Sequence, residues 1–160
     1  MKSRDGVLRL KRFQVEEKRR QVAQIDATVA ELRGSQVLDK KVISVTCVDG
    51  DSGSVRSTQA VPFKVKGSDG FSYRDMLFNM DAAVALRDEG RVWTKITVDY
   101  RSTPRSPAGD VPNEDEAIPG GIRQSVAVVL QSGVPLMVAQ SADAVGDRRV
   151  SLEVTATVMK

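Results

Sequence analysis

The end of the chain constrains the fold most strongly. Val150, Leu152, Val154, Ala156 and Val158 alternate with Ser151, Glu153, Thr155 and Thr157. A period of two puts every apolar side chain on one face of an extended strand and every polar one on the other, the pattern of a half-buried antiparallel strand. The same alternation recurs upstream. Ile43, Val45 and Cys47 are interleaved with Ser44 and Thr46, and Val61, Phe63 and Val65 with Pro62, Lys64 and Lys66. Val92, Ile96, Val98 and Tyr100 share one face, opposite Lys95, Thr97, Asp99 and Arg101. Apolar runs at 126–130 and 136–139 flank Gln131-Ser132-Gly133-Val134-Pro135, which predicts a tight hairpin. Asp49-Gly50-Asp51-Ser52-Gly53 predicts a turn between the first two of these strands.

One segment of this region breaks the pattern. Ser72 followed by Asp75 resembles a capping box, and Met76, Leu77, Met80, Val84 and Leu86 predict the apolar face of a helix over about 73–88. Residues 102–121 hold Pro104, Pro107, Pro112 and Pro119 together with Asp110, Glu114, Asp115 and Glu116, the composition of a long exposed loop. Six strands, one short helix and a loop predict a mostly β fold, either a small antiparallel β-sandwich or a partly open barrel.

The first 33 residues read differently. Between Arg4 and Arg33 there is no proline, and Gln, Glu, Lys, Arg, Ala and Leu fill most positions, which predicts a long N-terminal α-helix. Ser3 is suited to its N-cap and Gly34 to its C′ position. Leu8, Val15, Val22 and Val29 fall seven apart, with Ile25 and Leu32 as the second seam position of the last two heptads, so these six form the expected partner-binding stripe. Lys11 and Lys18 occupy the seam earlier on. Of 24 basic and 21 acidic residues, nine and five lie in 1–33, leaving 15 and 16 for the remainder, so the chain's formal charge of +3 belongs to this segment. Glu16, Glu17, Asp26 and Glu31 interrupt its basic face, which argues against nucleic acid as the partner. The resulting division is a basic coiled-coil-like helix at 1–33, a junction at 34–36 and a β-rich domain at 37–160. Gly34-Ser35 fits a natural helix end and a fusion joint equally.

The run Met1-Lys2-Ser3-Arg4-Asp5, then Leu8-Arg9-Leu10-Lys11-Arg12-Phe13-Gln14-Val15, then Glu17-Lys18-Arg19-Arg20-Gln21-Val22-Ala23-Gln24-Ile25, resembles the N-terminus of the alphaproteobacterial flagellar export protein FliJ. The resemblance is confined to 1–33. It implies a cytoplasmic antiparallel coiled coil, a chaperone of flagellar type III secretion that meets the export ATPase and the export gate. No part of it extends to residues 36–160.

The chemistry available is limited by what is absent. The chain has no histidine, so Ser-His-Asp and Cys-His catalysis, histidine-based zinc sites and imidazole switches are excluded. Its single Cys47 forms no internal disulfide, and its place on the apolar face of a strand predicts a buried, inert thiol. Gly50-Asp51-Ser52-Gly53 resembles the nucleophile loop of chymotrypsin-like proteases, but without a base it reads as a turn. Asp49 and Asp51 have the spacing that opens a calcium loop, yet the twelfth position from Asp49 is Ala60, where that loop requires a bidentate acid. The acidic stretch 113–116 reads as a solvated loop. No catalytic residue, metal site or cofactor is expected, and no run of apolar residues is long enough for a membrane-spanning helix.

Three functional readings follow. The first is a non-catalytic interaction or assembly protein tied to flagellar export through its helix, with the export ATPase or gate, or a second copy of the helix, as partner and the cytoplasm as its compartment. The alternative is an extracytoplasmic β-sandwich binding module, periplasmic or secreted, whose N-terminal helix is unrelated or artificially fused. A third, an enzyme using carboxylates and lysines, has no acid/base pair at useful spacing behind it.

Overall fold

The computed structural model describes residues 8, 9, 11, 12, 21–102, 120–142 and 147–159. It contains eight strands in chain order: β1 (Val22–Arg33), β2 (Gln36–Val48), β3 (Ser52–Lys64), β4 (Phe71–Leu86), β5 (Arg91–Ser102), β6 (Gly120–Gln131), β7 (Leu136–Ala142) and β8 (Arg148–Met159). They form two four-stranded sheets, in the orders β2-β1-β8-β7 and β3-β4-β5-β6, with every paired neighbour antiparallel. Ile25, Val29, Leu152 and Val154 from the first sheet pack against Met80, Val84, Ile96 and Val98 from the second in one apolar core. The fold is thus an antiparallel β-sandwich, and the predicted β class stands.

The long helix expected over 1–33 is not formed, because residues 22–33 are the central strand β1. Their burial alternates strictly, with Ala23, Ile25, Ala27, Val29 and Glu31 facing the core. The heptad reading fails here for a geometric reason: seven is odd, so in a strand Val22 and Val29 point to opposite faces, as do Ile25 and Leu32. Of the expected stripe, Ile25 and Val29 are core residues, while Val22 and Leu32 are half-buried on the outer face. Leu8 is exposed, and Val15 lies outside the described residues.

The expected junction at 34–36 is the turn of a hairpin. Arg33 pairs with Gln36, and Gly34 takes the left-handed conformation, φ 59°, that the first central position of such a two-residue turn requires. β1 is hydrogen-bonded along its whole length to β2 on one side and β8 on the other.

The helix expected over 73–88 is also a strand, β4, sixteen residues long. Its apolar residues at i, i+4 and i+8 (Met76, Met80, Val84) suit a helix, but four is even, so the same residues share one face of a strand. Phe78, Ala82 and Leu86 complete that face, which packs inward. Every other strand predicted from alternation is present. The hairpin predicted at 131–135 is not: β6 pairs with β5 and β7 with β8, so the turn carries the chain from one sheet to the other. Ser102 ends β5 and Gly120 begins β6, and the expected loop between them, with its acidic stretch, lies outside the described residues.

The order of the strands around the molecule is their order in the chain. Hairpins join β1 to β2 and β7 to β8, and the chain changes sheet only after β2 and after β6. Among the described residues the sandwich therefore resembles a flattened meander barrel that is unpaired along two seams, β2/β3 and β6/β7.

Candidate assembly interface

A sheet edge carries backbone N–H and C=O groups that have no ladder partner, so an open edge is the first place to look for a binding surface. Among the described residues there are four. β2 and β3 bound one flank, and β6 and β7 bound the other. The edges are long: β2 and β3 have 13 residues each and β6 has 12, while β7 has 7. Val37, Val42 and Val48 on β2, and Leu136 and Met137 on β7, are exposed apolar side chains on these edges. Strand direction alternates through both sheets, and each has an even number of strands. Joining the β6/β7 flank of one copy to the β2/β3 flank of the next therefore continues both sheets antiparallel without a break.

The turns leave the edges open at different places. Asp49 is fixed between the sheets: its N–H donates to Gln21 O, and its Oδ1 accepts the Leu86 N–H at 2.7 Å. Gly50 N–H donates to Val84 O. On the other flank β7 pairs only with Arg149–Val154 of β8. The β6–β7 turn covers the rest, with Gly133 N–H donating to Ala156 O and Val158 N–H to Ser132 Oγ. Among the described residues, what remains without a ladder partner on that flank of the first sheet is the edge of β7 itself.

Between the β2 and β3 edges the seam opens into a groove of about 260 Å³. Ile43, Phe78 and Tyr100 are apolar lining, with Lys41, Ser57 and Gln59 at its polar side. Lys41 Nζ stands 5.8 Å above the Tyr100 ring and 3.5 Å from Asp39. Phe78 meets Tyr100 edge to face at 5.4 Å.

Close to this groove a polar clasp ties the two sheets together. Glu31, in phase with the apolar face of β1, is only 4% exposed. Its Oε1 accepts the Tyr100 hydroxyl proton from the opposite sheet at 2.9 Å, and its Oε2 pairs with Arg148 at 2.5 Å. Arg148 also donates to Ser102 Oγ at 2.9 Å. Burial, and then the Glu31 charge, push the Tyr100 phenol well above its ordinary range. A carboxylate buried this deeply is held by partners rather than by water. Ser102 and Arg148 stand at the ends of β5 and β8, so the clasp closes one end of the sandwich.

The sequence pattern marks Glu31 only as an acid on a basic face and Tyr100 only as a strand residue, and it assigns none of the four to a site. A signal for Glu31 was there: an acid in step with Ala23, Ile25, Ala27 and Val29 needs a buried partner, but only once 22–33 is read as a strand. The residues that were weighed for chemistry fall elsewhere. Cys47 is buried, its Sγ 3.7 Å from Ala82 O, and burial followed by the Asp51 charge raises its pKa, as expected of an inert thiol. Asp51 Oδ1 accepts the Ser52 N–H at 2.8 Å, and Asp49 serves the β4 backbone, so both work as turn residues. Among the described residues no three Cys, Asp or Glu side chains converge, and no helix is long and apolar enough to cross a membrane.

No protein-family model matches the chain, and no curated protein is similar to it in sequence. Solved structures are similar in fold. The pilotin–secretin complex AspS–GspD of ETEC matches with a TM-score of 0.59 and 8% identity, covering 97% of this chain and 53% of that one. The type II secretin GspD of enteropathogenic Escherichia coli matches with a TM-score of 0.56 and 8% identity over 97% of this chain and 74% of that one. A chain of the Klebsiella pneumoniae type II secretion outer membrane complex, which contains PulD, PulS and the PulC HR domain, matches with a TM-score of 0.54 and 11% identity. It is covered to 43%, and this chain to 98%. The chain thus spans about half the length of the first of these and shares the fold of secretin structures across nearly all of its own.

Proposed function

We propose that this chain is a non-catalytic, wall-building domain of an envelope secretion assembly, in which copies join flank to flank so that both sheets run on from one copy to the next. The observation that carries this reading is the pair of stacked four-stranded sheets with open edges on both flanks, in a fold shared with secretins. Long edges of 12 and 13 residues on β6 and β3 supply the backbone groups, and the exposed apolar side chains of β2 and β7 supply area to bury. A flank-to-flank contact of this kind is heterologous and closes into a ring when the rotation between copies permits. The reading places the protein in the periplasm or at the outer membrane, the extracytoplasmic alternative reached from the sequence.

The flagellar reading, the first of those drawn from the sequence, has less support than the extracytoplasmic one. The FliJ resemblance requires residues 22–33 to continue a coiled coil toward an export ATPase, and they are the middle of a sheet.

Sedimentation velocity of the full chain over a hundredfold concentration range tests the proposal. Species of many times the 17.4 kDa protomer, visible as rings by electron microscopy, are expected. A 17.4 kDa species alone at every concentration, with and without membranes, contradicts it.

A further inference from the structure

The flank-to-flank contact has a definite fit, found by following the rows of paired residues across the first sheet. Ile43 pairs with Ala27, Ala27 with Val154, and Val154 with Leu136. These four residues therefore lie on one row, with Ile43 at the β2 edge and Leu136 at the β7 edge. Ile43, Ala27 and Val154 are buried core residues, so this row faces the interior. Leu136 is the exception, 43% exposed, because its flank of the sandwich is open. On the opposite flank Ile43 lines the groove of about 260 Å³ between β2 and β3. An inward-facing leucine without full cover and an inward-facing groove without a filling side chain occupy the two ends of the same row.

We infer that Leu136 of one copy seats in the β2/β3 groove of the next, against Ile43 and the Phe78–Tyr100 pair, so that the sandwich core is continuous across the joint. This rests on the flank-to-flank reading above and adds its register. Strand direction permits it, since β7 of one copy meets β2 of the next antiparallel. A row shared without stagger brings Leu136 opposite Ile43, within the 4.5–5.5 Å that separates directly paired Cβ atoms. The groove offers an aliphatic side chain the apolar surfaces of Ile43, Met76, Phe78 and the Tyr100 ring, beside Ser57, Gln59 and Arg101, and Lys41 is already engaged by Asp39 and the Tyr100 ring. Met137, which pairs with exposed Glu153, belongs to the outer face and does not enter.

Two measurements on the full chain test the register. In a Cys47→Ala background, Leu136→Cys combined with Ile43→Cys is oxidised, and intermolecular disulfide ladders are read on a denaturing gel. Leu136→Cys with Lys41→Cys and with Val45→Cys report a slip of two residues either way. The inference expects ladders from the 43 pair and little from the other two. Large species that crosslink through 41 or 45 instead overturn the seat and leave the flank-to-flank reading standing, whereas an uncrosslinked protomer at all concentrations removes both. Separately, Leu136→Ala removes the buried side chain and is expected to weaken association about 10- to 100-fold, with Leu136→Met largely restoring it. Association unchanged by Leu136→Ala overturns the inference.

Discussion

Replacing Glu31 tests the clasp between the sheets. Glu31→Ala removes an acceptor from the Tyr100 hydroxyl and the counter-charge from Arg148 at one stroke. Breaking a buried ion pair by removing one partner costs about 3–5 kcal/mol when both charges are fully desolvated. Here the Arg148 side chain keeps 22% exposure and Ser102 Oγ as a second acceptor, which lowers the penalty for the stranded guanidinium. The lost tyrosine hydrogen bond to a charged acceptor contributes about 1.5–3 kcal/mol within that total. We therefore expect Glu31→Ala to destabilise the fold by about 3 kcal/mol, read as a lower urea midpoint at unchanged slope. Tyr100→Phe removes only the hydroxyl and should cost about half as much, with the two effects strongly non-additive in a double-mutant cycle. Replacing the pair together, Glu31→Leu with Arg148→Met, should cost less than Glu31→Ala alone, since no charge is left stranded. A Glu31→Ala midpoint within about 0.5 kcal/mol of the parent would refute the clasp as a stabilising element.

Three further outcomes follow from the same fold. Ile25→Ala should cost about 2–5 kcal/mol, while Val22→Ala and Leu32→Ala each cost about 1 kcal/mol or less in the same urea titration. Three equal losses would instead indicate a helical seam. Gly34→Val places a β-branched residue at φ 59° in the β1–β2 turn and should lower stability by about 1–2 kcal/mol, seen as a drop in Tm; no change would mean that the hairpin is not formed. Tyr100 is held neutral in the folded state above its unfolded pKa, so its contribution is complete at neutral pH. It is lost as pH rises past about 10, where only the unfolded chain gives up the proton. Alkaline denaturation should therefore be shallower in Tyr100→Phe than in the parent, and equal slopes above pH 10 would contradict this.

Strand alternation made β2, β3, β5 and β8 legible from the sequence, because each has one face on the core and one toward solvent, and two apolar runs on either side of a turn marked β6 and β7. β1 and β4 were obscured for a shared reason. Both are rich in residues that favour helices, and both carry apolar spacings, seven and four, that a helix satisfies too. In β1 the deciding pattern, Ala23-Ile25-Ala27-Val29, is built partly from alanine, which signals little about burial. Tertiary pairing overrides that local preference: β1 is hydrogen-bonded on both sides over its full length. The turn at 131–135 was visible, but whether it closes a hairpin or crosses between sheets depends on which neighbours β6 and β7 find, information that no local pattern carries. The flanks were illegible for the same reason, since an edge strand and a central strand alternate alike. What the sequence did expose was the absence of histidine, which removes imidazole chemistry.

Amide hydrogen exchange on the edge strands tests the central claim most directly, because flank-to-flank joining gives β3 and β6 ladder partners that the protomer lacks. In the largest species separated by size, the amides of β3 and β6 should exchange as slowly as those of the central strands β4 and β5, and the protection should vanish on dilution to the protomer. Edge amides that exchange as fast in the largest species as in the protomer would contradict the account.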